Sequence, residues 1–419
     1  MSTDAVGVEL WNAAAEAVLK DAPGAAEAAR AVLAHDPRLG VARALAAAVP
    51  HDRSLGHGHD HETARSAELR RAFDDGHTAS GRESSLIHVL HLHALGHIAE
   101  MGDHLVVHTA LYPADPLVSR MLYGGLLSRT EPAHRTWTAG LIERQAAAAP
   151  ADSWPWMSVL AFLRAEQHRC DEAADLAQRV LAIEPDSAFA AHVLMHVHHD
   201  TGAGRTGVAW IDDWLRRHPR TPRRRHYHWH AALHALAAGD IPEARRRTAD
   251  ELAATDIAAR SSVNWRLRLA GQNAARPVTA DEAGALLADE DRAMSTAANA
   301  FHIALTLAVA GDADSLDRLA RQARRRPEPS YSTVLAPVAN ALALLLRGSP
   351  HRAADLLTDL RHQAWLLGLT APEQEIIEDT LARALTAADR PDEAADLLHH
   401  RMDTRSTTIY ERMLCTALS

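Results

Sequence analysis

His192 and His196 stand four residues apart, and so do His226 and His230, each member of the second pair lying 34 residues after its counterpart. Residues at i and i+4 share one face of a helix. A fixed offset between the pairs places them at equivalent positions of two neighbouring helices, so stacking the helices brings four imidazoles towards one patch. Imidazole nitrogens bind zinc, copper, iron or nickel, and three or four of them with an open coordination position make a Lewis-acid or redox site. Without a metal, closely spaced imidazoles disfavour one another's protonation. That can leave a neutral general base beside a cationic acid near pH 7, suited to isomerisation, elimination or cyclisation.

The elements that must carry these pairs follow from the same period. Pro116, Pro150, Pro185 and Pro219 recur at spacings of 34, 35 and 34 residues, as expected where proline closes the second helix of a tetratricopeptide-like pair. Segments 171–185 (DEAADLAQRVLAIEP), 352–360 (RAADLLTDL) and 392–401 (DEAADLLHHR) repeat alanine and larger apolar residues at helical spacing. Alternating β-branched runs bounded by turns are essentially absent. The expected fold is all-α, a right-handed superhelical solenoid of tetratricopeptide-like helix pairs forming a single domain over 1–419, with the histidine-bearing pairs at about 186–250. The Gly- and His-rich stretch HDRSLGHGHDHETARS predicts an irregular loop over about 50–80, in which His57, His59 and His61 would bind metal adventitiously. Two further breaks are expected at 271–277 and 324–330. The first helix of each pair should line the concave groove, where such solenoids bind ligands. His198, His199, Asp200 and His234 share the two histidine-bearing helices, whereas His228 should point away.

Composition narrows the chemistry. Lys20 is the single lysine, which leaves no residue for a pyridoxal phosphate Schiff base outside the first helix, and no nucleotide-binding motif is present. A net charge of −10 argues against general nucleic-acid binding, which requires a broad basic surface. Cys170 and Cys415 are too few for a disulfide scaffold. No signal peptide or 18-residue apolar span is seen, so a soluble cytoplasmic protein without membrane contact is expected. Neither a GxSxG elbow nor an activated cysteine appears, Cys170 falling at a turn, and covalent catalysis is not expected. Arg216, Arg217, Arg220, Arg223, Arg224 and Arg225 precede His226 and would form an electropositive mouth for an anionic small molecule.

The segment VLAIEPDSAFAAHVLMHVHHDTGAGRTGVAWI and the following HYHWHAALHALAAGDIPEA resemble the core of the tetratricopeptide repeat protein 38 family. That family carries a His-x3-His-x-His-Glu run and then His-Asn-x-Trp-His before a Gly-Glu/Asp turn. His192, His196, His198, His226, Trp229 and His230 match, while His199 stands at the usual Glu and Tyr227 at the usual Asn. In 256–271 the chain is similar to the family's Asp-x2-Asp-Ser-x-Ser-x2-aromatic-Arg-Leu segment, keeping Asp256, Ser262, Trp265 and Arg266 with Ala259 and Arg260 at the second Asp and Ser. Residues 298–302 resemble Asn-Asp-x-His, keeping Asn299 and His302 with Ala300 at the Asp. GLTAPEQE, from Gly368, is a faint echo of Gly-Gly-Ser-x-Ala-Gln-Arg-Asp. The resemblance implies the solenoid fold and no general reaction. Losing acids and amides while keeping histidines points to an adapted site.

Two functional readings follow. In the first, a small-molecule enzyme uses His192, His196, His226 and His230 as metal ligands for zinc or iron, or as acid and base. Trp229 and Trp265 would then stack on substrate, Arg266 and Asn299 orient a carboxylate or carbonyl, and His302 assist. In the second, the groove of a non-catalytic scaffold binds a peptide or protein. A scaffold needs a polar ladder across several repeats, and this chain instead concentrates its polar groups on adjacent ones. A pH or metal sensor, whose superhelix tightens or opens on protonation, is a third use of the same residues.

Overall fold

The computed structural model describes residues 3–48, 67–74, 80–94, 97–119, 132–252, 256–402 and 408–416. Among the described residues there is no strand, and helices follow one another in antiparallel pairs. The N-terminal part comprises α1 (Ala5–Lys20), α2 (Ala25–His35), α3 (Gly40–Ala48), α4 (residues 67–74), α5 (Gly81–Ala94), α6 (Ile98–Leu111) and α7, described over residues 116–119. The central pairs are α8 (Pro132–Ala148), α9 (Trp154–Glu166) with α10 (Cys170–Ile183), α11 (Ala188–Asp200) with α12 (Gly204–Arg217), and α13 (Arg224–Ala237) with α14 (Ile241–Asp250). Next comes α15 (Ile257–Leu269), whose partner is broken into α16 (Ala280–Ala285) and α17 (Glu290–Ala293). The C-terminal part holds α18 (Ala297–Ala310) with α19 (Ala313–Arg324), α20 (Ala336–Leu346) with α21 (Pro350–Leu360), α22 (Ala371–Ala387) with α23 (Pro391–Met402), and α24 (Ile409–Leu414). A π-helical turn at Ser330–Leu335 runs straight into α20.

Local chemistry accounts for the helix ends. Ser187 caps α11, its hydroxyl accepting from the Ala190 amide at 3.3 Å. Thr370 and Glu373 form a capping box at the start of α22. Pro185 and Pro219 lie in the turns that follow α10 and α12, as the spacing predicts. Pro116 does not. It opens α7, and Pro113 occupies the turn after α6, because proline fits the first turn of a helix as well as the exit from one. The loop expected over 50–80 is likewise interrupted. Residues 67–74 are helical and bury Leu69 and Ala72 in the N-terminal core, while His57, His59 and His61 lie outside the described residues.

Burial separates the two members of each pair. The second helices α10, α12 and α19 bury a single stripe, such as Ala173, Ala177 and Val180 in α10, as surface helices do. The first helices differ: α11 is buried without a break from Ala188 to Val197 and α13 from Tyr227 to Leu236. A helix buried all round must be covered on its inner face as well. The cover over α15, α18 and the end of α11 is α22. Trp265 donates its indole N–H to Thr380 Oγ1 at 2.9 Å, Arg266 pairs with Asp379 at 3.3 Å, His199 with Glu375 at 2.9 Å and His302 with Glu373 at 3.1 Å. Asp379 is 1% exposed and also binds Arg401 of α23 at 2.8 Å and the Tyr410 hydroxyl of α24 at 3.3 Å. The open groove of the sequence reading is therefore corrected. Its floor is roofed by the chain's own C-terminal helices, because the superhelix turns tightly enough for α22 to return to α11 and α15.

Removing one partner of a buried charge pair leaves the other charge uncompensated, at a cost of about 3–5 kcal/mol. Asp379→Ala strands Arg266 and weakens the hold on Arg401. We expect a loss of that order in urea unfolding, with a loss below about 1 kcal/mol showing that apolar packing alone seats α22.

Candidate metal centre

The site begins with the register between α11 and α13. The Tyr227 hydroxyl donates to the Ala188 carbonyl at 2.7 Å, and His234 Nε2 meets the Met195 carbonyl at 3.1 Å, so the two helices are tied near both ends of their contact. From outside, α12 presses on α13 through Gly204 and Gly207. A Cβ at Gly207 would run into the His234 ring and one at Gly204 into the His234 carbonyl. With the helices so fixed, the 34-residue offset becomes a spatial one.

His192, His226 and His230 come together at their Nε2 atoms. The edges of the triangle are 2.8 Å (His192 to His226), 3.1 Å (His192 to His230) and 3.1 Å (His226 to His230). His196 Nε2 stands 3.2 Å from that of His192. A neutral imidazole has one N–H and one lone pair, and a single N–H points along only one direction. Three edges of a triangle of such nitrogens cannot all be N–H···N bonds. Three lone pairs aimed at one point repel unless a cation accepts them. For comparison, Zn–N bonds of about 2.0–2.1 Å set tetrahedral ligand nitrogens about 3.3–3.4 Å apart, slightly wider than this triangle.

Burial keeps the rings uncharged. It pushes His226 down to about 3, helped by Arg223 and His196, and His196 down to about 4. His230, 0% exposed, is driven well below its ordinary value by burial and by His226, His196 and His192. His234 falls to about 3 for the same first reason, with His199 and His198 adding to it. These shifts leave His196, His226 and His230 neutral near pH 7, the form a metal needs, and the cationic acid of the acid–base reading is not among them.

The surroundings are aromatic above and carboxylate-rich at one end. Trp229 stacks on His226 at 5.3 Å between centroids, and Phe162 meets His196 edge-on at 5.7 Å. Trp229 in turn donates to Ser262 Oγ at 3.2 Å, which receives Arg266 Nη1 at 2.8 Å. Three acids that the sequence reading passed over, Glu373, Glu375 and Glu166, join Asp200 around the histidine-bearing helices. Glu373 and Glu375 come from α22, and burial opposes ionisation of Glu373, but its bonds to His302 and Thr370 outweigh this and hold the carboxyl at about 2. Glu166, at the end of α9, is pushed up to about 7 by burial and by Asp200. GLTAPEQE, the faint echo near Gly368, was the one sequence signal pointing to Glu373 and Glu375.

The remaining expected residues are placed as follows. Trp265 and Arg266 lie beneath α22 with their polar atoms on Thr380, Ser262, Asp379 and the Pro372 carbonyl. Asn299 donates to the carbonyls of Arg292 at 3.1 Å and Ala293 at 3.0 Å, closing the end of α17. His198 is half-buried, and His228 faces α14, beside Arg247 and Glu251. Three of the six arginines expected to form an electropositive mouth are held in ion pairs. Arg216 and Arg217 pair with Asp213 of their own helix and Arg223 with Asp21 after α1, since each reaches an acid that the linear sequence does not put beside it or that lies one turn back.

Fold and site define an all-α solenoid of tetratricopeptide-like helix pairs with a buried histidine cluster on two neighbouring inner helices. Neither a family profile nor a curated protein matches the chain. Among solved structures, it is similar to the one titled "Crystal Structure of the Yeast Tom70", at 15% identity and a TM-score of 0.37, over 98% of this chain and 87% of that one. No helix among the described residues is long and apolar enough to cross a membrane.

Because His196, His226 and His234 are held neutral at pKa values of about 3 to 4, the unfolded chain, with ordinary values near 6.5, binds more protons than the folded one at mildly acid pH. Stability of the metal-free protein is thus unaffected above about pH 6.5 and falls as pH drops from there towards 4. The urea midpoint should follow that course and fall less steeply in His234→Gln; a midpoint flat across the window contradicts the burial of neutral rings.

Proposed function

We propose that His192, His226 and His230 hold a divalent transition metal, zinc or iron, and that the protein is a small-molecule enzyme acting through it. The observation that carries this reading is the triangle of Nε2 atoms, all within 4.8 Å of one another and drawn from two helices. Three protein ligands with an open position are the pattern of catalytic zinc, whereas structural sites are closed by four. A bound metal supplies Lewis acidity. The chain's own residues supply the rest: His196 is a neutral imidazole beside the triangle, Trp229 fixes the His226 ring from one face, and Glu373 of α22, paired with His302 of α18, lies within electrostatic reach of His196 and His226. Among the three triangle residues His226 alone is more than marginally exposed, so the substrate is small. Support for the tetratricopeptide repeat protein 38 family comes from the motif residues themselves. Where His199 replaces the family's Glu, Glu375 of α22 brings a carboxylate to that place.

The scaffold reading has its own support. An open cleft of about 500 Å³ lies away from the histidines, between α1 and the α8–α9 turn, lined by Asn12, Glu16, Leu19, Pro150, Trp154 and Ile183. A protein partner would use this outer surface, since α22 roofs the inner one.

Plasma mass spectrometry of tag-free protein separates the readings. We expect about one equivalent of metal in the wild type and in a His57/His59/His61→Ala variant, with loss in His192→Ala and His226→Ala. Wild-type protein that takes up no zinc or iron on dialysis defeats the metal-enzyme reading and leaves the scaffold.

A further inference from the structure

A second polar cluster lies far from the first, between α5 and α6. Ser85 of α5 faces two histidines of α6: its Oγ is 2.8 Å from His108 Nδ1 and 3.2 Å from His104 Nε2. The other nitrogen of His108, Nε2, is 3.4 Å from Asp115 Oδ2. Arg82, one turn before Ser85 on the same helix, grips Asp115 through Nε at 2.6 Å and Nη2 at 2.9 Å. His108 is 0% exposed and Asp115 5%, whereas Ser85 is only half-buried.

The proton positions follow from chemistry. Burial opposes ionisation of Asp115, but His108 and Arg82 outweigh it and hold the carboxyl below its usual range, so Asp115 only accepts. His108 Nε2 lies on the Asp115 side, 3.4 Å away and without a hydrogen bond; a single ring proton placed there leaves a lone pair at Nδ1 facing Ser85. The Ser85 hydroxyl must donate to that lone pair. Its single proton is then committed, and His104 must be the donor in the remaining contact. Burial, followed by His88 and His108, lowers His104, which favours its neutral ring. In this arrangement the Ser85 hydroxyl faces an imidazole whose far nitrogen lies 3.4 Å from a carboxylate. Helical hydroxyls elsewhere in this chain behave differently. Thr109, Thr201 and Thr248 bond back to the carbonyl four residues earlier, as such side chains usually do.

We infer that Ser85, His108 and Asp115 form a nucleophilic acyl-transfer site, separate from the histidine triangle and acting on small ester substrates. Such constellations are defined by geometry and roles, with sequence order free to vary. Ser85 Oγ attacks the ester carbonyl while its proton passes to His108 Nδ1. The C–O bond to the leaving alcohol then breaks, that alcohol takes the proton back, and an acyl-serine remains. Water reverses the steps, delivering its proton through His108 and releasing the carboxylic acid. No oxidant or cofactor enters the balance. Arg82 is the group placed to stabilise the developing oxyanion, since its Nη1 has no partner among the described residues and it shares a helix face with Ser85. With no pair of free backbone amides at this mid-helix position, the site suits esters rather than the less reactive amides. Asp115 is a positioning residue.

The test uses a fluorescent fluorophosphonate probe on the full chain, with Ser85→Ala and His108→Gln variants checked for folding by circular dichroism. Labelling of wild-type protein, mapped by peptide mass spectrometry to Ser85, lost in Ser85→Ala and slowed about 100-fold or more in His108→Gln, is the expected result. A purely structural network would lower the melting temperature of the variants without any labelling of the wild type. Absence of wild-type labelling, an adduct on another residue, or a rate unchanged in His108→Gln overturns the assignment. Should a variant fail to fold, the adduct map of the wild type decides alone.

Discussion

Everything at the candidate metal centre depends on how α11 is registered against α13. Two hydrogen bonds from side chain to backbone, Tyr227 to Ala188 and His234 to Met195, pin the helices, and two glycines on α12 remove the bulk that would hold α13 away. A helix shifted along its axis by one residue moves a side chain about 1.5 Å and turns it by about 100°. Such a slip would take His226 and His230 off the facing surface altogether. The convergence of three Nε2 atoms is a consequence of that register, and no other element has to move for it to exist.

Closure by α22 gives the cluster its character. On an open solenoid the inner faces of α11, α13 and α15 would be wet and the histidines ordinary. Here the returning helix covers α15 and the end of α11, and the cost of burying charge keeps His196, His226 and His230 neutral. The same closure explains why Trp265 and Arg266 serve the fold. Both are consumed in seating α22, with Arg266 and Arg401 flanking one buried carboxylate, Asp379.

The two histidine clusters show two outcomes of one composition. Around His192 the partners are other imidazoles and an aromatic wall. Around His108 stand the Ser85 hydroxyl and the Asp115 carboxylate, the latter gripped by Arg82. The coordination proposed for one cluster and the proton transfer proposed for the other rest on this difference in what the neighbours can donate or accept.

The sequence by itself determined the repeat. Its 34-residue offset, the prolines after α10 and α12, and the alanine-rich periodicity state that helices pair and stack, and the two i, i+4 histidine pairs state which residues can meet, because both are local or nearest-neighbour properties of a chain with fixed helical geometry. It misplaced Pro116, since proline both opens and closes helices, and read residues 67–74 as loop, since a two-turn helix is too short to display its period. Contacts between distant segments were decided by tertiary structure alone. That α22 returns to cover α15, that Glu375 meets His199 across 176 residues, and that Ser85 finds both His108 and Asp115 all depend on small rotations accumulated over many helix pairs. No local pattern encodes their sum.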